Sequence, residues 1–209
     1  MSDTSTAQTA APADADSGSF LFLRKFLKHG TRVASVAPSS RALANAMVRH
    51  LDSSKPQTLV ELGAGTGAVT RMIAEKMHPE STLYAVEIDP DFAAVLRKDV
   101  PQAKVLQCDV KDLPQQLASH GVDHVDHFFS CLPTPSLPKS VNKAIYECFT
   151  QVSPADTMFS QITIMPWVFW PMYRKVFKEV QFNLVVANFP PAGAYHCRGL
   201  KDNYFIPGK

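Results

Sequence analysis

The hydrophobic and polar positions of the chain follow two alternating periods. Short β-branched and aliphatic runs, such as T-L-V at 58–60 and T-L-Y-A-V-E-I at 82–88, predict buried parallel strands. After the first run, apolar residues recur at helical spacing at Val69, Met72 and Ile73, which predicts a helix packed on the sheet. The pattern predicts one α/β domain: a doubly wound, Rossmann-like sheet of seven strands with helices on both faces.

The remaining elements are predicted in the same way. Helices are expected at 41–51, 68–77, 91–99, 111–119 and 142–149, and strands at 58–62, 82–88, 103–108, 124–130 and 157–163. Residues 177–186 and 194–197 are interpreted as a helix end and a terminal hairpin. Residues 164–172, I-M-P-W-V-F-W-P-M, contain two prolines and are predicted to be a loop. Such an apolar loop is either a lid over a hydrophobic substrate, which we favour, or buried against the sheet.

The first strand runs into a glycine turn, V-E-L-G-A-G-T-G at 60–67. Glycines let backbone amides approach a ligand closely. The spacing G-x-G-x-G differs from the dinucleotide fingerprint G-x-G-x-x-G, and Glu61 precedes the first glycine by two residues. A carboxylate there would repel a pyrophosphate and attract an ammonium or sulfonium group. We therefore predict S-adenosylmethionine (SAM) as the ligand, with S-adenosyl-L-homocysteine as the product, and the segment resembles the first motif of class I methyltransferases.

Other cofactor contacts are expected where later strands end. Glu87, at the end of the second strand, is placed to accept hydrogen bonds from the ribose hydroxyls, or else is a solvated acid. In class I methyltransferases an acid after the third strand accepts the adenine amine, which implies this role for Asp109; it could also cap the next helix. The predicted cofactor-binding residues are Glu61, Gly63, Ala64, Gly65, Thr66, Gly67, Glu87, Ile88, Asp109, Val110 and Ser130.

Composition and charge narrow the function classes. A net charge of +2 over 209 residues gives no global field for nucleic acid. Four scattered cysteines without a C-x-x-C indicate a reduced, intracellular protein and no metal site. We predict a disordered tail at 1–19, N-terminal amphipathic and lid helices at 20–56 and the catalytic domain at 57–209. No signal peptide or spanning segment is expected.

Residues 20–29, F-L-F-L-R-K-F-L-K-H, have an amphipathic pattern. On a helix the phenylalanines and most of the leucines share one side, and Arg24, Lys25 and Lys28 share the other. This predicts a helix lying in an anionic membrane interface. The alternative is a helix packed on the protein's own sheet with a solvated basic face.

Several stretches together resemble the bacterial phospholipid N-methyltransferases. These are F-L-x-x-F-L-x-x-x-x-R-V-x-S-V-A-P-S-S-R-A-L-A from residue 22, E-L-G-A-G-T-G-A-V-T at 61–70, S-x-L-P-x-x-S-L-P at 130–138 and N-F-P-P-A-x-A-Y at 188–195. The resemblance implies SAM-dependent methylation of a lipid amine, chiefly phosphatidylethanolamine toward phosphatidylcholine, with ornithine lipid as an alternative acceptor. It also implies docking on the cytoplasmic face of the membrane. Cys131 and Thr134-Pro135 depart from the family pattern beside the acceptor.

Methyl transfer needs an aligned donor and a neutral amine, so a group must take up the amine's proton. Tyr195, His196, Asp126 and His127 are the candidates, and we favour Tyr195 as the catalytic residue because it ends the family-like segment. Residues expected to contact substrate or membrane are Arg24, Lys25, Lys28, Arg32, Ser39, Ser40, Arg41 and Leu132. We expect a monomer.

Two other functions compete with lipid methylation. RNA adenine N6-dimethyltransferases share E-L-G-A-G-T-G and A-V-E-I-D, but they carry N-L-P-Y or N-P-P-Y after the fourth strand. Here S-C-L-P lacks both the asparagine and the aromatic residue, so no nucleic-acid partner is expected. A membrane adaptor that has lost turnover is the non-enzymatic alternative, against which Glu61, Glu87 and Asp109 argue.

Overall fold

The computed structural model describes residues 40–134, 137, 139–152, 156–188 and 190–201. The helices are α1 (Arg41–Met47), α2 (Ala68–Lys76), α3 (Pro90–Asp99), α4 (Leu113–Ser119), α5 (Lys139–Val152) and α6 (Pro166–Val176). The strands are β1 (Thr58–Leu62), β2 (Thr82–Val86), β3 (Ala103–Leu106), β4 (His127–Ser130), β5 (Met158–Thr163), β6 (Phe177–Val185) and β7 (Ala192–Leu200). The predicted tail at 1–19 and the predicted helix at 20–29 lie outside the described residues.

The seven strands form one sheet in the order β3-β2-β1-β4-β5-β7-β6. The strands β1 to β5 are parallel, and β7 pairs antiparallel with both β5 and β6. All four residues of β4 are buried, as an apolar strand covered on both faces should be. The doubly wound, seven-stranded prediction is therefore confirmed. The carboxyl ends of β1, β4 and β5 lie together, because Leu62 pairs with Ser130 and Ser130 with Gln161.

Hydrophobic side chains fill both faces of the sheet. On one face, α4, α5 and α6 contribute residues such as Leu117, Phe149 and Tyr173 to the larger core. On the other, Met47 of α1 and Ile73 of α2 pack in a second buried cluster. Both faces of the sheet are thus covered by helices.

Two predictions near the carboxyl terminus were wrong. The proline-containing segment is helical: Pro166 stands in the first turn of α6, where a missing N–H has no cost, while Pro171 lies within the helix. Packing of Phe169 and Tyr173 in the core outweighs the unfavourable inner proline. Residues 177–185 form strand β6 rather than a helix end, because they pair with β7 along most of their length. The predicted terminal hairpin is confirmed, although it is longer than expected.

A buried chain of histidines crosses β4, β5 and β7. The Ser160 hydroxyl lies 2.8 Å from Nε2 of His127 and 2.8 Å from Nδ1 of His196. The ring of His50 meets that of His196 edge to face at 4.6 Å. Burial lowers the pKa of His127 well below its ordinary value, and burial together with His50 and Arg49 lowers the pKa of His196 to about 4. The folded protein therefore keeps both rings neutral.

We expect stability to fall as the pH is lowered from about 6.5 toward about 4, because the unfolded chain takes up protons that buried histidines exclude. His196 alone should contribute a loss of roughly 1–3 kcal/mol in the free energy of unfolding. Urea denaturation across this range should give a shallower pH dependence for His196→Gln than for the wild type. The exposed His120→Gln variant is the control; equal slopes in wild type and His196→Gln would contradict the expectation.

A candidate cofactor and substrate site

The predicted glycine turn joins β1 to α2 and is closed against the end of β2. The backbone N–H groups of Gly63 and Ala64 both donate to the Val86 carbonyl, at 2.9 and 3.1 Å. The φ angles of Gly63, Gly65 and Gly67 are 72, 54 and 80°, in the left-handed region that other residues avoid. A Cβ on Gly63 would lie 2.5 Å from Leu132 Cδ2. The turn thus needs glycine both for its conformation and for its contact with the loop after β4.

Glu61 is fully buried beside this turn. Its Oε1 accepts a hydrogen bond from the Cys131 thiol at 3.8 Å, and its Oε2 has no hydrogen-bond partner among the described residues. Burial raises the pKa of Glu61 to about 7 with a contribution from Glu87. The Cys131 thiol and the nearby Thr70 hydroxyl, which does not reach hydrogen-bonding geometry with the carboxylate, oppose the shift. A buried carboxylate with an oxygen that lacks a hydrogen-bond partner among the described residues fits a cationic ligand such as SAM.

Glu87 links the glycine turn to the start of α3. One carboxylate oxygen accepts from the N–H of Gly65 at 2.8 Å, and the other accepts from the N–H of Asp89 at 2.8 Å. Burial raises the pKa of Glu87, and these amide hydrogen bonds oppose that effect. The alternative of a solvated acid is therefore wrong. The contact between Glu87 and the ribose stays a prediction. The hydrogen bonds hold the Glu87 carboxylate at the carboxyl end of β2, where that contact is expected.

The predicted adenine side of the site follows β3. Oδ1 of Asp109 accepts from the N–H of Lys111 at 3.0 Å, which makes a local turn. The N-cap of α4 is Asp112, so Asp109 does not cap that helix. Val110 is buried and Ile88 is half-buried. Their contacts to the adenine ring stay predictions.

The loop after β4 is held by polar groups that the sequence analysis missed. Gln161 of β5 donates to the Leu132 carbonyl at 2.9 Å and accepts from the Thr134 hydroxyl at 2.8 Å. Asn142 of α5 donates to the Thr134 carbonyl at 2.8 Å. Ser130 is buried, and its hydroxyl has no partner within the described segments. A glutamine inside the apolar strand M-F-S-Q-I-T was the available signal, since a buried amide needs partners.

Two family-like motifs meet near this edge. The N–H of Ser40 donates to Oδ1 of Asn188 at 3.1 Å, and the Ser40 hydroxyl caps α1 by accepting from the N–H of Leu43 at 3.2 Å. Arg41 is exposed, 3.5 Å from Glu75. Its predicted headgroup contact stays a prediction. The predicted substrate and membrane residues outside the described part are Arg24, Lys25, Lys28, Arg32 and Ser39.

Tyr195 is fully buried in β7. Its hydroxyl donates to the Pro166 carbonyl, and burial raises its pKa to about 12. A base at neutral pH needs a much lower pKa and a free oxygen. Its catalytic role stays a prediction, and this placement argues that Tyr195 instead ties β7 to α6. His127 and His196 belong to the buried histidine chain, and Asp126 accepts from the N–H of Thr58 at 2.7 Å.

Comparison with known proteins identifies the family. A family model described as a methyltransferase domain matches residues 59–155. An ornithine lipid N-methyltransferase from Singulisphaera acidiphila is 44% identical over 188 residues, which cover 88% of this chain and 98% of that protein. The chain belongs to the lipid N-methyltransferase family of class I methyltransferases. It is a SAM-dependent methyltransferase, as the glycine turn predicted.

Two further proteins resemble this chain, one at low sequence identity and one over a short stretch. A Burkholderia thailandensis N1-methyltransferase, solved with 1,6-didemethyltoxoflavin and S-adenosylhomocysteine, superposes with a TM-score of 0.62 at 14% identity, over 93% of this chain and 95% of that chain. This likeness shows the fold alone. A ribosomal RNA small subunit methyltransferase A from Mesoplasma florum is 37% identical over 62 residues, covering 30% of this chain and 22% of that protein.

The described residues fit SAM in both charge and shape. Glu61 offers a buried carboxylate oxygen, and the glycine turn offers a surface without Cβ atoms. Of the helices in the described ranges, none has the length and apolar composition needed to cross a bilayer. The same ranges contain no group of three or more histidine, cysteine or acidic residues suited to a metal ion.

We expect SAM to bind more tightly at pH 7.5 than at pH 6, because Glu61, whose pKa is about 7, must be ionised to attract the cation. The Glu61→Gln variant should bind roughly tenfold to a hundredfold more weakly at pH 7.5, with little pH dependence. Titration calorimetry measures both effects, and Glu75→Gln, an exposed acid of α2, is the control. Unchanged affinity in Glu61→Gln would refute the assigned contact.

The glycine turn offers a second, matched test. Gly63 and Gly121 have nearly equal φ angles, 72 and 70°, but a Cβ on Gly121 would meet nothing within 4 Å. Gly121→Ala should cost only the left-handed conformation, about 1–2 kcal/mol. Gly63→Ala should lose more stability, because its methyl group displaces Leu132, and should also weaken SAM binding. Thermal unfolding and calorimetry of both variants check this; equal destabilisation would mean that Leu132 yields freely.

Proposed function

We propose that this protein N-methylates an amino lipid of the ornithine lipid type. The proposal is carried by the Singulisphaera relative, an ornithine lipid N-methyltransferase that this chain matches along 98% of its length. The resemblance of the sequence motifs implies phosphatidylethanolamine first, with ornithine lipid as an alternative. The full-length relative supports that alternative, so we take it as the main acceptor and phosphatidylethanolamine as the comparison substrate.

The loop after β4 is the proposed acceptor side. Ligands of open parallel sheets bind at the carboxyl ends of strands, where β4 ends at Ser130 and Leu132 follows in the loop. Gln161 fixes the Leu132 carbonyl, and Leu132 in turn packs closely on the glycine turn. This arrangement would keep the acceptor pocket in register with the donor pocket, which is most of what a displacement at an activated carbon requires.

SAM supplies a methyl group already activated by its sulfonium. The chain's part is to desolvate the lipid ammonium, let it lose its proton and align its lone pair. The buried Ser130 hydroxyl, without a partner in the described segments, could accept a hydrogen bond from the amine. Because the Tyr195 hydroxyl is hydrogen-bonded to the Pro166 carbonyl, water is the proposed final proton acceptor.

We further propose that the protein acts at the cytoplasmic membrane surface as a monomer. Residues 20–29 and their cations Arg24, Lys25 and Lys28 are the proposed contact to anionic headgroups. Arg32, Ser39, Ser40 and Arg41 are the proposed contacts to the lipid phosphate or carboxylate.

RNA methylation is disfavoured by two observations. The ribosomal RNA relative from Mesoplasma matches over only 22% of its own length. The segment S-C-L-P at 130–133 lacks the asparagine and aromatic residue that hold an adenine.

The direct test supplies methyl-labelled SAM with anionic vesicles containing ornithine lipid, matched vesicles containing phosphatidylethanolamine, or ribosomal RNA. We expect label in ornithine lipid first, with mass spectrometry showing successive additions of one methyl group. A Glu61→Gln variant controls for contaminating activity. Label only in phosphatidylethanolamine would restore the original ranking of acceptors, and label only in RNA would end the lipid proposal.

A further inference from the structure

Exposed large hydrophobic side chains are concentrated in one place. Eight such residues occur in the described part of the chain, and all but Val95 belong to two neighbouring segments. We call these seven the edge patch: Ile164, Met165, Trp167, Val168, Trp170, Leu184 and Val186. Contiguous exposed apolar surface of this kind marks an interaction site on a soluble domain.

The two parts of the edge patch lie at the same edge of the sheet. Thr163, the last residue of β5, pairs with Gly193, and Gly193 pairs with Leu184. Two strand spacings of about 4.8 Å therefore separate Leu184 from the end of β5, where Ile164 follows. This is also the edge at which β1 and β4 end beside the glycine turn. The patch thus flanks the opening of the cofactor and substrate site.

The fold does not need the outer face of α6 to be apolar. Phe169, Tyr173 and Val176 form the inner face and are buried in the core. Trp167 and Val168 point outward, with 77 and 49% of their surface exposed. The exposed residues of the last turn on the same outer side are Arg174 and Lys175.

The charge pattern selects the partner. Residues 162–195 contain three cations, Arg174, Lys175 and Lys178, and one acid, Glu179. Tryptophans on a surface bordered by cations are typical of the interface of an anionic bilayer. A lid closed over a substrate would instead have its apolar side covered, whereas this side faces outward.

We propose that the edge patch inserts into the interface of an anionic bilayer and seats the open edge of the sheet on the membrane. This rests on the proposed lipid substrate, and it adds a docking surface separate from residues 20–29. With the patch inserted, a lipid amine would enter the site between Leu132 and α6 from the headgroup layer. The acyl chains of the lipid would then stay in the bilayer while its headgroup enters the site.

The wild-type protein can report on its own docking. Its two tryptophans, Trp167 and Trp170, both belong to the edge patch, so tryptophan fluorescence excited selectively over tyrosine comes from this surface alone. On adding vesicles of phosphatidylglycerol and phosphatidylcholine, the emission should shift to the blue and be quenched by brominated acyl chains. Vesicles that sediment the protein without changing its emission would overturn the proposal, since another segment would then be the anchor.

Other occupants of the patch give different spectra. Blue-shifted emission without vesicles that reverts on dilution would show a second copy of the chain on the patch. The same emission independent of concentration would show that a segment of this chain covers it. Either result overturns bilayer docking.

Matched variants separate docking from folding. Val168→Ser in the patch is paired with Val95→Ser on α3, since both valines are exposed, by 49 and 43%. Arg174→Glu with Lys175→Glu is paired with Arg97→Glu with Lys98→Glu, because both pairs lie in the last turn of a helix. Vesicle partitioning should fall about tenfold in the Trp167→Ser and Arg174/Lys175 variants, less in Val168→Ser, and remain near wild type in the α3 controls.

An activity comparison distinguishes this proposal from the proposed function. The patch variants should lose methylation of ornithine lipid in vesicles but keep it in detergent micelles, where no bilayer must be engaged. If wild type methylates no lipid in either form, the proposed function fails, while the fluorescence and partitioning results still decide whether the patch docks. Equal loss in vesicles and micelles would overturn the docking role of the patch.

Discussion

The burial of two carboxylates beneath a glycine turn is the constraint on which the rest of the site depends. Glu61 and Glu87 are both almost fully removed from solvent. Glu87 is compensated by backbone amides, including that of Gly65, whereas Glu61 keeps one oxygen without a partner in the described segments. Burying an uncompensated carboxylate is costly, and the raised pKa of Glu61 reflects that cost. A cationic ligand beside Glu61 would compensate this cost.

The glycine turn also packs closely against the loop after β4, which is the proposed acceptor side of the site. Gly63 leaves no room for a methyl group against Leu132, and Gln161 holds the Leu132 carbonyl. The glycine turn and the loop after β4 are therefore packed against each other. Because a displacement reaction is sensitive to donor and acceptor alignment, a close contact between the two sides has a direct catalytic use. Asn142 extends the same connection to α5, through the Thr134 carbonyl.

Local signals in the sequence were sufficient for the parallel half of the fold and for the cofactor turn. β1 through β5 are compact apolar runs, and Glu61 with its glycines is a contiguous motif. α6 and β6 were mispredicted because their structure depends on distant partners: Phe169 and Tyr173 on the core, β6 on β7. The roles of Gln161 and Cys131 were missed for the same reason, since each contacts a residue far away in the chain. Tertiary packing overrides local propensity at such places.

The two faces of α6 are under different constraints. Its inner face is apolar because the core requires it, and that alone fixes the helix despite Pro171. Its outer face could carry any polar residue without loss of packing, yet it carries tryptophan and valine. Exposed apolar surface in water favours association and aggregation, so it is a liability unless a partner covers it. That surface lies at the same edge of the sheet as the glycine turn and the loop after β4. A membrane lipid would approach the proposed site from this side.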